Sequence, residues 1–367
     1  MPDEFAGATE MAVLRRLRER FAEGREPLQF VGAGCYEHHV PAGCLQAWAD
    51  AAPADRVAAT ARVAHWLSHR LGMAECVVGY ADAADALIHA VQAALAADRR
   101  GRRALWVTRG VNPRLRDRLH ATFEPQGVAV FEAPLDEDTG LSALSGGPPH
   151  DVAVLVYAQP NFLGLMEPAA HIRQVCRMAD VCCIACVNPR AVTAAAVDAD
   201  WLCGDAQPLG LPLAAGGASL GFVASAERRR LPPAPRPHAN AAAVAALLAT
   251  ISVRQLDDIN RVAAHAARAL CERLTALDGV RCRFRSGWLH EFVLQLEAPG
   301  AQILRALAAQ NIIGGVDLGR DYPEFGESIL ICVTETKTAD DLQRFCDHLA
   351  RILKRRAPIT CPVKPKW

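Results

Sequence analysis

Asp151-Val152-Ala153-Val154-Leu155-Val156-Tyr157 is the cleanest strand signal in the chain, and together with the helix and strand after it this stretch decides the fold. Pro168 to Met178 has helical spacing, and Val181-Cys182-Cys183-Ile184-Ala185-Cys186-Val187 is a second apolar run. Continuous apolar strands separated by a helix read as parallel strands covered on both faces. The pattern extends outward. Upstream, Ala104 to Thr108 and Val128 to Phe131 read as strands flanking a helix from Pro113 to Gln126. Downstream, Trp201-Leu202-Cys203 and Leu220 to Val223 read as short strands. Residues 55–71, and a stretch starting after Tyr80 and running to about Ala97, read as helices. A short amphipathic helix is expected over residues 9–24, with Met11, Leu14, Leu17 and Phe21 on one face.

Leu231 to His238 holds four prolines and marks a boundary. One long helix is expected after it, from about Asn240 to Leu277. The remainder predicts strands at Val280–Phe284, Glu291–Leu296 and Ser328–Val333, with helices at Ala301–Gln310 and Ala339–Lys354. That is a small α+β unit with an antiparallel sheet. The division expected is an N-terminal helix and arm (1–50), a large α/β domain (51–237), a linking helix with a small α+β domain (238–356) and a loose tail (357–367).

Composition excludes several classes. The chain has 367 residues, 51% hydrophobic, with Lys+Arg 40 against Asp+Glu 40, which rules out whole-chain disorder. A net charge of zero argues against nucleic acid or an anionic membrane as partner. The apolar runs are too short to span a bilayer. Asp3 and Glu4 open the chain without an apolar h-region, so no signal peptide is expected and the cytoplasm is the expected location. The 13 cysteines show no framework spacing and fit reduced thiols. Only four lysines occur, Lys337, Lys354, Lys364 and Lys366. No lysine amine is therefore available in the first 336 residues.

Three blocks carry more specific information. The first is Gly32-Ala33-Gly34-Cys35-Tyr36-Glu37-His38-His39-Val40-Pro41. The second runs from Gly204-Asp205-Ala206-Gln207-Pro208 through Gly216-Gly217 to Phe222. The third is Ile312-Ile313-Gly314-Gly315-Val316-Asp317-Leu318, with Leu330-Ile331-Cys332-Val333-Thr334-Glu335 beyond it. Gln159-Pro160-Asn161-Phe162-Leu163-Gly164 and Glu335-Thr336-Lys337-Thr338 add to them. Together these resemble the glycine cleavage system P-protein, glycine dehydrogenase (decarboxylating), in its first half or subunit 1. The resemblance runs from about Glu10 to Leu353.

The resemblance implies an α/β fold: a fold-type-I pyridoxal phosphate transferase-like large domain with a mostly parallel sheet, plus a small C-terminal α+β domain. It implies that the cofactor lysine sits in a second, pyridoxal phosphate-bearing subunit, with this chain as its companion in a heterotetramer. The activity implied is glycine decarboxylation with aminomethyl transfer to the lipoylated H-protein. Gln207 and Pro208 stand where the catalytic paralog places His and Lys, so no catalytic residue of its own is expected. An imine needs a lysine amine, which neither Gln nor Arg replaces. Asn188 stands where the family carries the Asp that partners the pyridinium nitrogen. At the expected phosphate cradle, Tyr80 to Leu87, Asp82 and Asp85 read as helix-capping residues. The chain is expected to bind neither cofactor nor metal. The cleft or interface candidates are Gly34, Tyr36, His38, Asn161, Asn188, Asp205, Gln207, Gly216 and Gly217.

The chain also departs from the family. Ala49 to Asp55 replaces a Tyr-Thr-Pro-Tyr-like stretch, and a long basic loop shrinks to Leu231–Ala239. These departures motivate two alternatives. One is a degenerate scaffold or regulatory pseudoenzyme, homodimeric if no partner exists; the other is a paralog serving another amino acid. Cys182 to Cys186 reads as buried core thiols rather than a metal motif, and Arg228–Arg230 as a solvated face. Tyr36 and His38 keep both a functional and a structural reading. Gly314-Gly315 reads as a tight turn.

Overall fold

The computed structural model describes residues 27–213, 218–227, 231, 232, 235, 237–285 and 287–354. The helix expected at 9–24, the tail from 357, Gly216, Gly217 and Arg228–Arg230 lie outside them.

In chain order, β1 (Leu28–Gln29) leads into α1 (Ala42–Asp50) and α2 (Pro53–Leu71). Then come β2 (Glu75–Tyr80), α3 (Ala83–Ala97), β3 (Ala104–Thr108), α4 (Pro113–Phe123), β4 (Ala129–Ala133) and β5 (Val152–Gln159). The chain continues through α5 (Ala169–Ala179), β6 (Cys182–Val187), β7 (Trp201–Asp205) and β8 (Gly221–Ser225). Next are α6 (Asn240–Thr250), α7 (Val253–Thr275), β9 (Val280–Cys282) and β10 (Glu291–Leu296). It closes with α8 (Gly300–Ala308), β11 (Ile312–Ile313), β12 (Val316–Asp317), β13 (Ser328–Cys332) and α9 (Ala339–Lys354).

Seven strands form the large sheet in the order β2-β8-β7-β6-β5-β3-β4. Only β8 runs against its neighbours. All eight residues of β5 are buried. Along it Leu155 and Tyr157 enter one core cluster while Val154 and Val156 enter the other, so both faces are covered. Each such side chain contributes about 1.5–3 kcal/mol by leaving water. The second sheet is antiparallel, β12-β13-β10-β9. Its core takes Leu270 and Leu274 from α7, Ile303 and Leu307 from α8, and Phe345 and Leu349 from α9.

The long helix expected from Asn240 to Leu277 is two helices. Ile251 is extended at φ −119°, ψ 129°. Ser252 then caps α7, accepting a hydrogen bond from the Gln255 N–H while the Gln255 side chain accepts one from the Ser252 N–H. This reciprocal capping box restarts the helix. It also suits two different faces: α6 is mostly buried, whereas α7 is amphipathic. Helix α1 and strand β2 were not anticipated. Nor was β1, which pairs in parallel with β11, Leu28 opposite Ile312. Phe30 beyond it is wholly buried in the C-terminal core.

The twelve cysteines among the described residues are free thiols. No helix among them is long and apolar enough to cross a membrane. No group of three or more His, Cys, Asp or Glu able to hold a metal ion occurs there either.

Candidate functional site

The Gly32–Pro41 block leaves β1 and crosses the seam between the two sheet units. Backbone conformation explains its glycines. Gly34 has φ +100°, and a Cβ on Gly32 would lie 2.3 Å from Glu291 Oε1. Neither position tolerates a side chain without movement.

The loop is fixed from both units. From the large unit, Gln207 Oε1 accepts from the Tyr36 N–H at 3.0 Å. The Gln207 amide donates back to Tyr36 O at 2.9 Å and to Leu211 O at 3.0 Å. The Asn112 amide donates to Ala33 O at 2.8 Å. From the small unit, Glu291 Oε1 accepts from the Ala33 N–H at 2.7 Å, and Oε2 from the Tyr36 hydroxyl at 2.9 Å. His38 Nδ1 donates to Glu335 at 2.9 Å, and the His39 N–H donates to the same carboxylate at 3.1 Å. The Lys337 ammonium donates to Glu37 and to the Thr336 hydroxyl.

Charge in the seam follows burial. Burial pushes the Glu291 carboxyl up to about 7, against the two hydrogen bonds that favour its ionised form. The Tyr36 hydroxyl is pushed up by burial and by the Glu291 charge. Burial holds His290 down at about 3, and burial likewise lowers His38, so both rings are neutral. Burial opposes ionisation of Glu335. The His38 hydrogen bond and the nearby charges, Arg190 among them, nevertheless hold it down at about 2. Arg190 is buried and binds Glu335 at 2.9 Å and Pro208 O at 3.1 Å.

The remaining candidates separate. Asn188 Oδ1 accepts from the Arg190 N–H at 3.0 Å, and its Nδ2 is buried without a partner. Asp205 Oδ1 accepts from the Gln207 and Leu220 N–H groups at 2.8 and 2.9 Å, which fixes the turn that carries Gln207. Asn161 sits in another network. It donates to Gly140 O and Glu167 at 2.9 Å, and it accepts from the Leu163 and Leu165 N–H groups. Asp82 caps α3 by accepting from the Asp85 N–H at 2.8 Å, and Asp85 accepts from the Ala81 N–H at 3.0 Å. The exposed tip Gly34–Cys35 is what the loop presents outward. Asp205, Arg114 and Asp82 are all near enough to act on the Cys35 thiol. Sequence reasoning passed over Arg190, His290, Glu291 and, as site residues, Glu335 and Lys337. A signal existed for Glu291, a carboxylate opening a strand whose next three residues, Phe292-Val293-Leu294, are apolar. Beside the seam an open cavity of about 890 Å³ reaches Arg190, Glu335 and His39 between α6 and α7.

Comparison with known proteins identifies the family. Residues 71–234 match the glycine cleavage system P-protein family. A probable glycine dehydrogenase (decarboxylating) subunit 1 of Thiobacillus denitrificans is 32% identical, with 98% of this chain and 90% of the relative covered. The chain belongs to the glycine dehydrogenase (decarboxylating) subunit 1 family. A relative of the same name from Nitrosospira multiformis is 30% identical over 95% of this chain and 90% of its own length. The alignment with the Thiobacillus relative spans 421 positions against 367 residues here, so this family member has gaps opposite its relatives. The crystal structure of a glycine decarboxylase P-protein in inhibitor-bound form superposes with a TM-score of 0.81 at 23% identity, covering 96% of this chain and 93% of that one. A sphingosine-1-phosphate lyase of Burkholderia pseudomallei shares the fold at a TM-score of 0.73 and 13% identity, covering 96% and 92%.

Proposed function

We propose that this chain is the lysine-free partner subunit of a glycine dehydrogenase (aminomethyl-transferring, decarboxylating) complex. It completes the active-site cleft of a separate, pyridoxal phosphate-bearing subunit of the P-protein type. The observation that carries this reading is Gln207. Pro208, which has no amine to form an imine, stands where the resemblance puts the lysine, and the buried Gln207 amide before it, where the resemblance puts the histidine, makes three hydrogen bonds to the backbone of Tyr36 and Leu211. Gln207 serves to hold a loop.

The other cofactor positions do not fit the group either. Pyridoxal phosphate needs free N–H groups for its phosphate and a carboxylate for its ring nitrogen. Here the start of α3 is closed by Asp82 and Asp85, which would repel a phosphate. Asn188 offers a neutral amide. The chain's own contribution is then a rigid wall, with the Gly34–Cys35 tip, Asn188 and Asp205 supported from behind by Arg190, Glu291 and Glu335. The cytoplasm is the compartment in which it would act, with the lipoylated H-protein as a further partner.

The test is reconstitution with a pyridoxal phosphate-bearing subunit from the same cells. Co-elution as one complex, with glycine-dependent bicarbonate exchange that neither subunit shows alone, is the expected result. A stable homodimer that ignores that subunit would overturn the reading.

A further inference from the structure

Cys271 on α7 and Cys282 at the end of β9 lie on two elements that pack together. Each side chain is near enough to shift the other's ionisation, and the Cys282 thiol donates to Phe284 O at 3.1 Å. Both line an open cavity of about 570 Å³ that also contains Arg268, Arg281, Arg285 and a single carboxylate, Glu272. None of these three arginines makes a salt bridge among the described residues. The cavity therefore presents two thiols, one buried and one half-buried, beside three arginines and one carboxylate, a net positive charge. Cys186 and Cys203 make a comparable pair, with Sγ atoms 3.6 Å apart, but both lie buried between β6 and β7. The pair at α7 and β9 is the one that opens to solvent.

We infer that Cys271 and Cys282 form a dithiol site that is oxidised by anionic small-molecule disulfides, such as those of carboxylate-bearing thiols. The arginines draw the disulfide's carboxylates into the cavity. Cys282 loses its proton to solvent and attacks one sulfur, forming a mixed disulfide and expelling one small thiolate, which takes up a proton. Cys271 then loses its proton and attacks the Cys282 sulfur, expelling the second small thiolate, which is protonated in turn. Two protein thiols are oxidised by two electrons, and one small disulfide is reduced to two thiols. Cys271 beside it lowers the Cys282 thiol below its usual value; burial opposes this, and Arg285 adds to the lowering, which suits Cys282 as the attacking group. The new bond ties the end of α7 to β9, the edge strand of the small sheet. Oxidation would thus register on an element outside the seam.

The experiment incubates the reduced full chain with oxidised glutathione or with neutral 2-hydroxyethyl disulfide, and maps products by peptide mass spectrometry. Expected is a Cys271–Cys282 disulfide, formed about tenfold faster with the anionic probe at low salt and with the advantage lost at high salt. Cys271→Ser should stop at a glutathione adduct on Cys282, and Arg281→Gln with Arg285→Gln should erase the preference for the anionic probe. Adducts confined to the exposed Cys35, with Cys271 and Cys282 still reduced, would overturn the proposal. Equal rates for the two probes would overturn the role given to the arginines.

Discussion

In the large sheet, β5 buries eight residues of which seven are apolar and one, Gln159, is polar. In the seam under the Gly32–Pro41 loop, the buried groups are Tyr36, Arg190, Gln207 and Glu291. Both regions bury their central groups, though an open cavity reaches the Arg190–Glu335 side of the seam, and they are held by different means. The sheet gains from non-directional apolar burial and tolerates local loss in proportion to the volume removed. The seam is a directional network, and its buried groups have lost their water and depend on named partners. Removing one partner there leaves the other unpaired in a buried site. The proposed role, presenting a fixed wall to another subunit, would need that rigidity.

The largest effect should separate the two regions at once. Arg190→Met strips Glu335 of its buried cation and should cost about 3–5 kcal/mol in denaturant unfolding. Combining it with Glu335→Gln should recover part of that loss, because the unpaired charge is gone. In the sheet, Leu155→Ala should cost about 2–5 kcal/mol without altering the pH dependence of stability, since it leaves only a cavity. Equal pH sensitivity in both variants would erase the contrast.

Glu291 gives the pH test. Its folded-state value of about 7 lies above the ordinary 4.5, so between those values the folded chain holds a proton that the unfolded chain has released. Stability should therefore fall as pH rises from 4.5 to 7 and level off above, by up to about 3 kcal/mol. Glu291→Gln should flatten that slope in pH-resolved thermal unfolding. Glu335 has the opposite sign: held at about 2, its contribution is lost as pH falls below 4.5. Gln207→Ala should cost about 1–3 kcal/mol and release the loop, read as faster amide exchange at Tyr36. The smallest effect is Asp82→Ala, about 1 kcal/mol from the lost cap of α3.

The same contrast explains how much of the molecule was legible in the sequence. Strands β5 and β6 were legible because apolar runs are local. The break between α6 and α7 was also written locally, as Ser252 and Gln255 at capping-box spacing, but the continuous alanine-rich pattern around it hid the signal. The loop's importance and Gln207 were reached through the three glycine-rich blocks. The contacts those two positions make were not legible. Tyr36 meets Glu291 from 255 residues away, and Arg190 meets Glu335 from 145 away. Such pairings exist only after two sheets have docked, and no periodicity encodes them. Strand β1 was missed for the same reason: two residues gain strand geometry only from β11.

The central claim is that this chain lends structure to a cofactor it does not hold. The most direct test is borohydride reduction of the reconstituted complex with pyridoxal phosphate, followed by mapping of the pyridoxyl group. The account predicts label on a lysine of the partner subunit and none on this chain. Stoichiometric label on Lys337, the lysine that reaches the loop here, would contradict it.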